Sequence, residues 1–85
     1  GETPLQGAAR KGHLSVVRFL VEEAGAYVNA MDNRGDTALH LACYWCQTEI
    51  VKYLVDAGAD LQIWNDEGKR PGEVSFTDSL SAGAR

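Results

Sequence analysis

Two stretches of this chain repeat one another at a spacing of 34 residues. Gly1-Glu2-Thr3-Pro4-Leu5-Gln6 aligns with Gly35-Asp36-Thr37-Ala38-Leu39-His40, and Gly68-Lys69-Arg70-Pro71-Gly72-Glu73 follows the second copy by 33. The register holds beyond these openings. Gly12-His13-Leu14-Ser15-Val16-Val17-Arg18-Phe19-Leu20-Val21 aligns with Cys46-Gln47-Thr48-Glu49-Ile50-Val51-Lys52-Tyr53-Leu54-Val55. Ala24-Gly25-Ala26-Tyr27-Val28-Asn29 then meets Ala57-Gly58-Ala59-Asp60-Leu61-Gln62, the first copy carrying one extra residue among Glu22 and Glu23. A period of this size restricts the fold severely. Each unit is a small supersecondary element that cannot cover its own apolar face, so the units must stack. The 85 residues divide into a first unit at 1–34, a second at 35–67, and a partial third with a tail at 68–85.

Local chemistry says what each unit contains. Thr3 before Pro4 is a helix N-cap with proline at the first helical position, where the missing N–H costs nothing. Thr37 can cap the equivalent helix of the second copy. These first helices are short and carry small residues, Ala8 and Ala9 or Ala42 and Cys43, which permit close helix–helix approach. The second helices place apolar residues at Val16, Val17, Leu20 and Val21, then at Ile50, Val51, Leu54 and Val55. That spacing predicts a helix buried along one face. Gly25 and Gly58 are placed to supply a left-handed helix ending. Residues 27–35 and 60–68 are rich in Asn, Asp and Gly, as turns are.

Thr3-Pro4-Leu5, Gly12-His13, Thr37-Ala38-Leu39-His40-Leu41-Ala42 and Gly58-Ala59-Asp60 together resemble the ankyrin-repeat family. The resemblance runs from residue 1 to about residue 74. It implies an all-α solenoid of antiparallel helix pairs joined by hairpin-like loops, acting as a protein–protein interaction module. In such a module the concave face is built from loop tips and the exposed ends of the first helices. Carried over residue by residue, that face holds Glu2, Arg10 and Lys11 in the first unit. The second unit contributes Met31, Asn33, Arg34, Asp36, Tyr44 and Trp45, and the third Trp64, Asp66, Glu67 and Lys69. Both tryptophans and the single methionine fall in this set, and Trp, Tyr and Arg dominate interface energetics.

The third copy decays. Arg70 stands where the capping Thr belongs and Gly72 where Leu belongs, leaving Val74, Phe76 and Leu80 as anchors and residues 81–85 as a frayed tail. With two units and a part, the chain reads as a piece of a longer protein, or as a minimal array helped by a partner.

Charge narrows the partner. The net charge is −4, and it is uneven: residues 1–34 sum to zero, 35–67 to −5 and 68–85 to +1. Basic residues are adjacent only at Arg10-Lys11 and Lys69-Arg70, which argues against nucleic acid, whose binding rests on clustered cations. An acidic second unit around aromatic residues favours a protein segment carrying Lys or Arg beside apolar side chains. No apolar run approaches the roughly 18–20 residues of a membrane span, and no basic start leads into an apolar stretch, so neither membrane insertion nor a signal peptide is expected. An intracellular setting, cytoplasmic or nuclear, follows from the cysteine usage.

His40, Cys43 and Cys46 fall three apart and suggest a metal or redox site at first sight. A closed zinc site needs four converging ligands, and the remaining histidine, His13, belongs to another unit. His40 occupies the family position whose imidazole bonds nearby backbone, and Cys43 replaces a buried alanine. Cys43-Tyr44-Trp45-Cys46 lies at the end of a short helix, where the dipole disfavours a thiolate. No phosphate loop or nucleophile–base arrangement occurs. The expectation is therefore a non-enzyme without cofactor or metal, partner binding being its role. A structural or targeting segment of a larger enzyme, channel or scaffold is the alternative, and a small metal or redox protein using Cys43 and Cys46 stands behind both.

Overall fold

The computed structural model describes residues 1–74, so the expected anchors Phe76 and Leu80 and the tail at 81–85 lie outside the described residues. Four helices follow in order: α1 (Pro4–Lys11), α2 (Leu14–Glu22), α3 (Ala38–Tyr44) and α4 (Thr48–Asp56). A single 3-10 turn, Pro71–Glu73, comes after them, and no strand occurs among the described residues. The architecture is all-α. Helices α1 and α3 pack side by side as an inner row that continues onto the 3-10 turn, while α2 and α4 form the second row behind them.

Each first helix starts on a reciprocal cap. The Thr3 hydroxyl accepts the Gln6 amide at 3.2 Å, and Gln6 Oε1 accepts the Thr3 amide at 2.8 Å. In the second unit the Thr37 hydroxyl accepts the His40 amide at 3.3 Å, and His40 Nδ1 accepts the Thr37 amide at 3.0 Å. Two orphan N–H groups are satisfied at each start. The third unit keeps half of the device. Glu73 Oε1 accepts the Arg70 amide at 2.7 Å, but a guanidinium has no acceptor to return to the helix, which here lasts one turn.

The same side chains bind the units together. Gln6 Nε2 donates to the carbonyls of Ala30 at 2.8 Å and Asp36 at 3.1 Å. His40 Nε2 lies 2.9 Å from the carbonyl of Lys69, the repeat equivalent of Asp36. Because Nδ1 accepts an amide hydrogen, the imidazole carries its proton on Nε2 and donates it to Lys69. Both ring nitrogens are thus committed to nearby backbone, as the resemblance implied.

The core is one cluster: Leu5, Ala8, Ala9, Val17, Ala38, Leu39, Ala42, Ile50 and Leu54. Ala9 of α1 and Ala42 of α3 are wholly buried, and the two helices pack against each other. Burying each Leu, Ile or Val contributes about 1.5–3 kcal/mol, so Leu5, Val17, Leu39, Ile50 and Leu54 carry most of the stabilisation. The apolar stripe of the second helices is narrower than its spacing predicts. Val17, Ile50 and Leu54 are fully buried and Leu20, Val21 and Val51 partly so, but Val16 is 44% exposed and Val55 40%. Periodicity alone cannot distinguish a residue facing the core from one facing an adjacent unit.

Gly25 and Gly58 adopt the expected left-handed conformation, just beyond the caps Glu23 and Ala57. The turn between the two helices of a unit needs the same geometry. Gly12 supplies it in the first unit at φ +81°, and a Cβ there would sit 2.8 Å from the Gln47 side chain, whose Nε2 donates to the Arg10 carbonyl. In the second unit Cys46 takes this position at φ +57°. A left-handed non-glycine residue costs about 1–2 kcal/mol.

Two stability measurements follow. Cys46→Gly raises the free energy of unfolding by about 0.5–1 kcal/mol, the relieved strain exceeding the entropy that glycine adds to the unfolded chain. A lowered urea midpoint would contradict this. His40→Ala strands the Thr37 amide and the Lys69 carbonyl and costs about 2–4 kcal/mol. His40→Gln costs at most about 1 kcal/mol, since Gln6 already makes the same pair of bonds; equal losses in the two variants would refute the account.

Candidate functional site

The consecutive loops before α3 and before the 3-10 turn are built alike. Asp32 Oδ1 accepts the amides of Arg34 at 2.8 Å and Asp36 at 3.0 Å. Asn65, 33 residues later, accepts those of Glu67 at 2.9 Å and Lys69 at 3.0 Å. The two loops are then fastened to each other. Asn65 Nδ2 donates to Asp36 Oδ1 at 2.8 Å, and the Asp66 amide donates to the Arg34 carbonyl at 2.9 Å. Their approach is close enough that a Cβ on Gly35 would lie 3.1 Å from the Asn65 backbone.

Loops and inner helix row together enclose an open groove of about 870 Å³. Glu2 and Arg10 stand at one end as a two-point ion pair, with N–O distances of 3.0 and 3.3 Å. Tyr44 and Trp45, at the C-terminal end of α3, contact edge to face with centroids 5.2 Å apart and planes at 77°. They remain 38% and 48% exposed. Leu41 and Val74 add apolar lining, and Asp66 and Glu67, on the loop farther from the first unit, stand at the far end. Five carboxylates (Glu2, Asp32, Asp36, Asp66 and Glu67) and two guanidiniums (Arg10 and Arg34) line the groove, so it is negative overall.

Of the residues singled out in the sequence, the groove gathers Glu2, Arg10, Asn33, Arg34, Asp36, Tyr44, Trp45, Asp66 and Glu67. Lys11 lines a separate shallow hollow with Pro4, His13 and Val16. Met31 and Trp64 occupy equivalent loop positions outside the groove lining, 57% and 59% exposed, and the Arg70 guanidinium stacks 5.0 Å over the Trp64 ring. Lys69 acts through its backbone carbonyl on His40. Sequence reasoning did not place Asp32, His40, Asn65 and Val74 in the groove, and it assigned Leu41 to the core. The signal for Asp32 and Asn65 was available: each stands three residues before a loop glycine, Gly35 or Gly68, in the same register. Cys43 is poorly disposed to the thiolate form that redox chemistry needs. Burial, and then the nearby Cys46, push the Cys43 thiol above its ordinary value, away from the thiolate that such chemistry uses.

The Glu2–Arg10 pair has a pH signature. Its hydrogen bond to Arg10 holds the Glu2 carboxyl below its ordinary value. A carboxyl lowered in the folded state stabilises it above the unfolded pKa and loses that contribution as pH falls through the folded one. Carboxyl NMR titration should therefore find Glu2 below the ordinary glutamate range, and Arg10→Ala should move it up. An unmoved Glu2 would mean the pair does not persist in solution.

The sequence pattern described as "Ankyrin repeats (3 copies)" matches residues 1–65. Mouse BCL-6 corepressor-like protein 1 is 42% identical over 71 residues, which is 84% of this chain and 4% of that protein. Mouse protein phosphatase 1 regulatory subunit 12A is 38% identical over 80 residues, 94% of this chain and 8% of that one. Human protein phosphatase 1 regulatory subunit 27 is 36% identical over 74 residues, 87% of this chain and 47% of that one. The chain thus spans less than half the length of each of these relatives. Among the described residues no helix is long and apolar enough to cross a membrane. Capped helix pairs, the 33-to-34-residue register and the pattern match converge on one conclusion: the chain belongs to the ankyrin-repeat family.

Proposed function

We propose that this chain is an intracellular protein-interaction module, without catalysis of its own, that holds a partner segment along its groove. Ankyrin repeats are protein-interaction modules, and the similar proteins include a corepressor-like protein and regulatory subunits. The observation that carries the reading is the exposed Tyr44–Trp45 pair in a groove whose far end is acidic. The core does not need either ring, since Leu39, Ile50 and Leu54 already fill it. Large aromatic surface that a fold leaves in water is what an interface core consumes. The segment that fits carries Lys or Arg toward Asp66 and Glu67, with apolar side chains against Tyr44, Trp45 and Leu41. Arg34, whose carbonyl takes the Asp66 amide, adds one cation among these carboxylates.

Selection of displayed peptides against the chain, followed by calorimetry, tests this. Basic–apolar peptides should emerge. Trp45→Ala should weaken them about 30- to 1000-fold while moving the thermal midpoint little. Asp66→Lys with Glu67→Lys should weaken them and flatten their salt dependence. Selected peptides indifferent to all three substitutions would place the interface elsewhere.

A further inference from the structure

The repeat register allows the two units to be compared side chain by side chain. Glu2 and Asp36 hold the same position, one residue ahead of a capping threonine. Arg10 and Tyr44 also share a position, at the end of the helix that follows. In the first unit the two positions form a closed pair. Arg10 Nε donates to one Glu2 oxygen at 3.0 Å and a terminal guanidinium nitrogen to the other at 3.3 Å. The second unit keeps the carboxylate and has no cation to match it. Asp36 Oδ1 accepts Asn65 Nδ2 at 2.8 Å, and no Lys or Arg among the described residues, Arg34 included, forms an ion pair with Asp36. At the position of the guanidinium stands Tyr44, its ring in edge-to-face contact with Trp45. All three side chains line the groove, and Asp36 is half-buried.

We propose that an arginine of the partner segment docks here, its guanidinium on Asp36 and against the rings of Tyr44 and Trp45. The contact rests on the groove reading and adds to it an arginine-specific point apart from the acidic end at Asp66 and Glu67. The first unit supplies the template, a two-point bond to a carboxylate, which a planar fork makes and a compact ammonium does not. An aromatic face takes a guanidinium by stacking as well as by cation–π attraction. The same molecule shows the preference at Trp64, over whose ring Arg70 lies at 5.0 Å. The arginine stem supplies apolar surface to the rings. Asn65 occupies one lone pair of Asp36 Oδ1, so both oxygens still accept, and it fixes the carboxylate before a partner arrives.

The probe is N-acetylarginine methylamide, titrated into the isotope-labelled 85-residue chain with N-acetyllysine methylamide as comparison. The Asp36 carboxyl carbon and the Tyr44 and Trp45 ring signals should move with the arginine compound and much less with the lysine one. Tyr44→Arg rebuilds the first unit's ion pair inside the second, so it should remove that response without lowering the thermal midpoint. In the peptides selected against the chain, replacing one arginine by lysine should cost about tenfold or more in affinity. Asp36→Asn, which still accepts from Asn65, should erase that preference. An Asp36 signal that ignores the arginine compound, or answers both compounds alike, would overturn the proposal. So would peptides that need Trp45 but take Lys and Arg equally, an outcome that leaves the groove reading standing. An arginine response at Asp36 without any groove-dependent peptide supports this contact and removes the groove reading.

Discussion

Everything in this molecule hangs on the side chain at the third position of each first helix. Gln6 and His40 each accept the N-cap amide of their own helix and donate to carbonyls of the loop that follows. One residue thereby starts a helix and fixes where the next unit's loop sits against it. These bonds are buried, where a lost partner costs more than the bond gains in water. An amide and an imidazole do the same work because both carry an acceptor and a donor nitrogen on one planar group, the amide with a second N–H to spare. Glu73 keeps the acceptor half and lacks the donor half, and the helix it belongs to is a single 3-10 turn.

The groove inherits its rigidity from this arrangement. Its loop wall is not a flexible rim, because Asp32 and Asn65 close their own turns and Asn65 reaches across to Asp36. Its helical wall ends in Tyr44 and Trp45, whose edge-to-face contact orients both rings before any partner arrives. A preorganised aromatic pair loses less entropy on binding than two mobile ones. Charge is distributed along the groove to give it direction. The Glu2–Arg10 end is internally compensated, whereas the Asp66–Glu67 end is negative.

Strain and exposure mark where the second unit departs from the pattern. Cys46, the residue after Trp45, holds a left-handed turn that glycine holds in the first unit. The exposed face of α1 and α2 is the counterpart departure in the first unit, where Phe19 gives up the hydroxyl by which Tyr53 engages Glu22. Both departures are substitutions at positions whose roles the neighbouring copy makes plain.

The fold was legible in the sequence because its determinants are local and occur twice. Thr3 and Thr37 announce helix starts, Gly25 and Gly58 announce ends, and the 33-to-34-residue register obliges the units to stack. Much of the groove was legible for the same reason, since loop tips and helix ends are register positions. What the sequence could not decide was direction. Val16 and Val17 are chemically identical neighbours, yet one is 44% exposed and the other wholly buried, because only packing determines which unit a helix face meets. Leu41 looked like core and lines the groove, while Met31 and Trp64 sit exposed outside its lining. A period fixes which residues share a position, and the tertiary contacts alone fix which way that position looks.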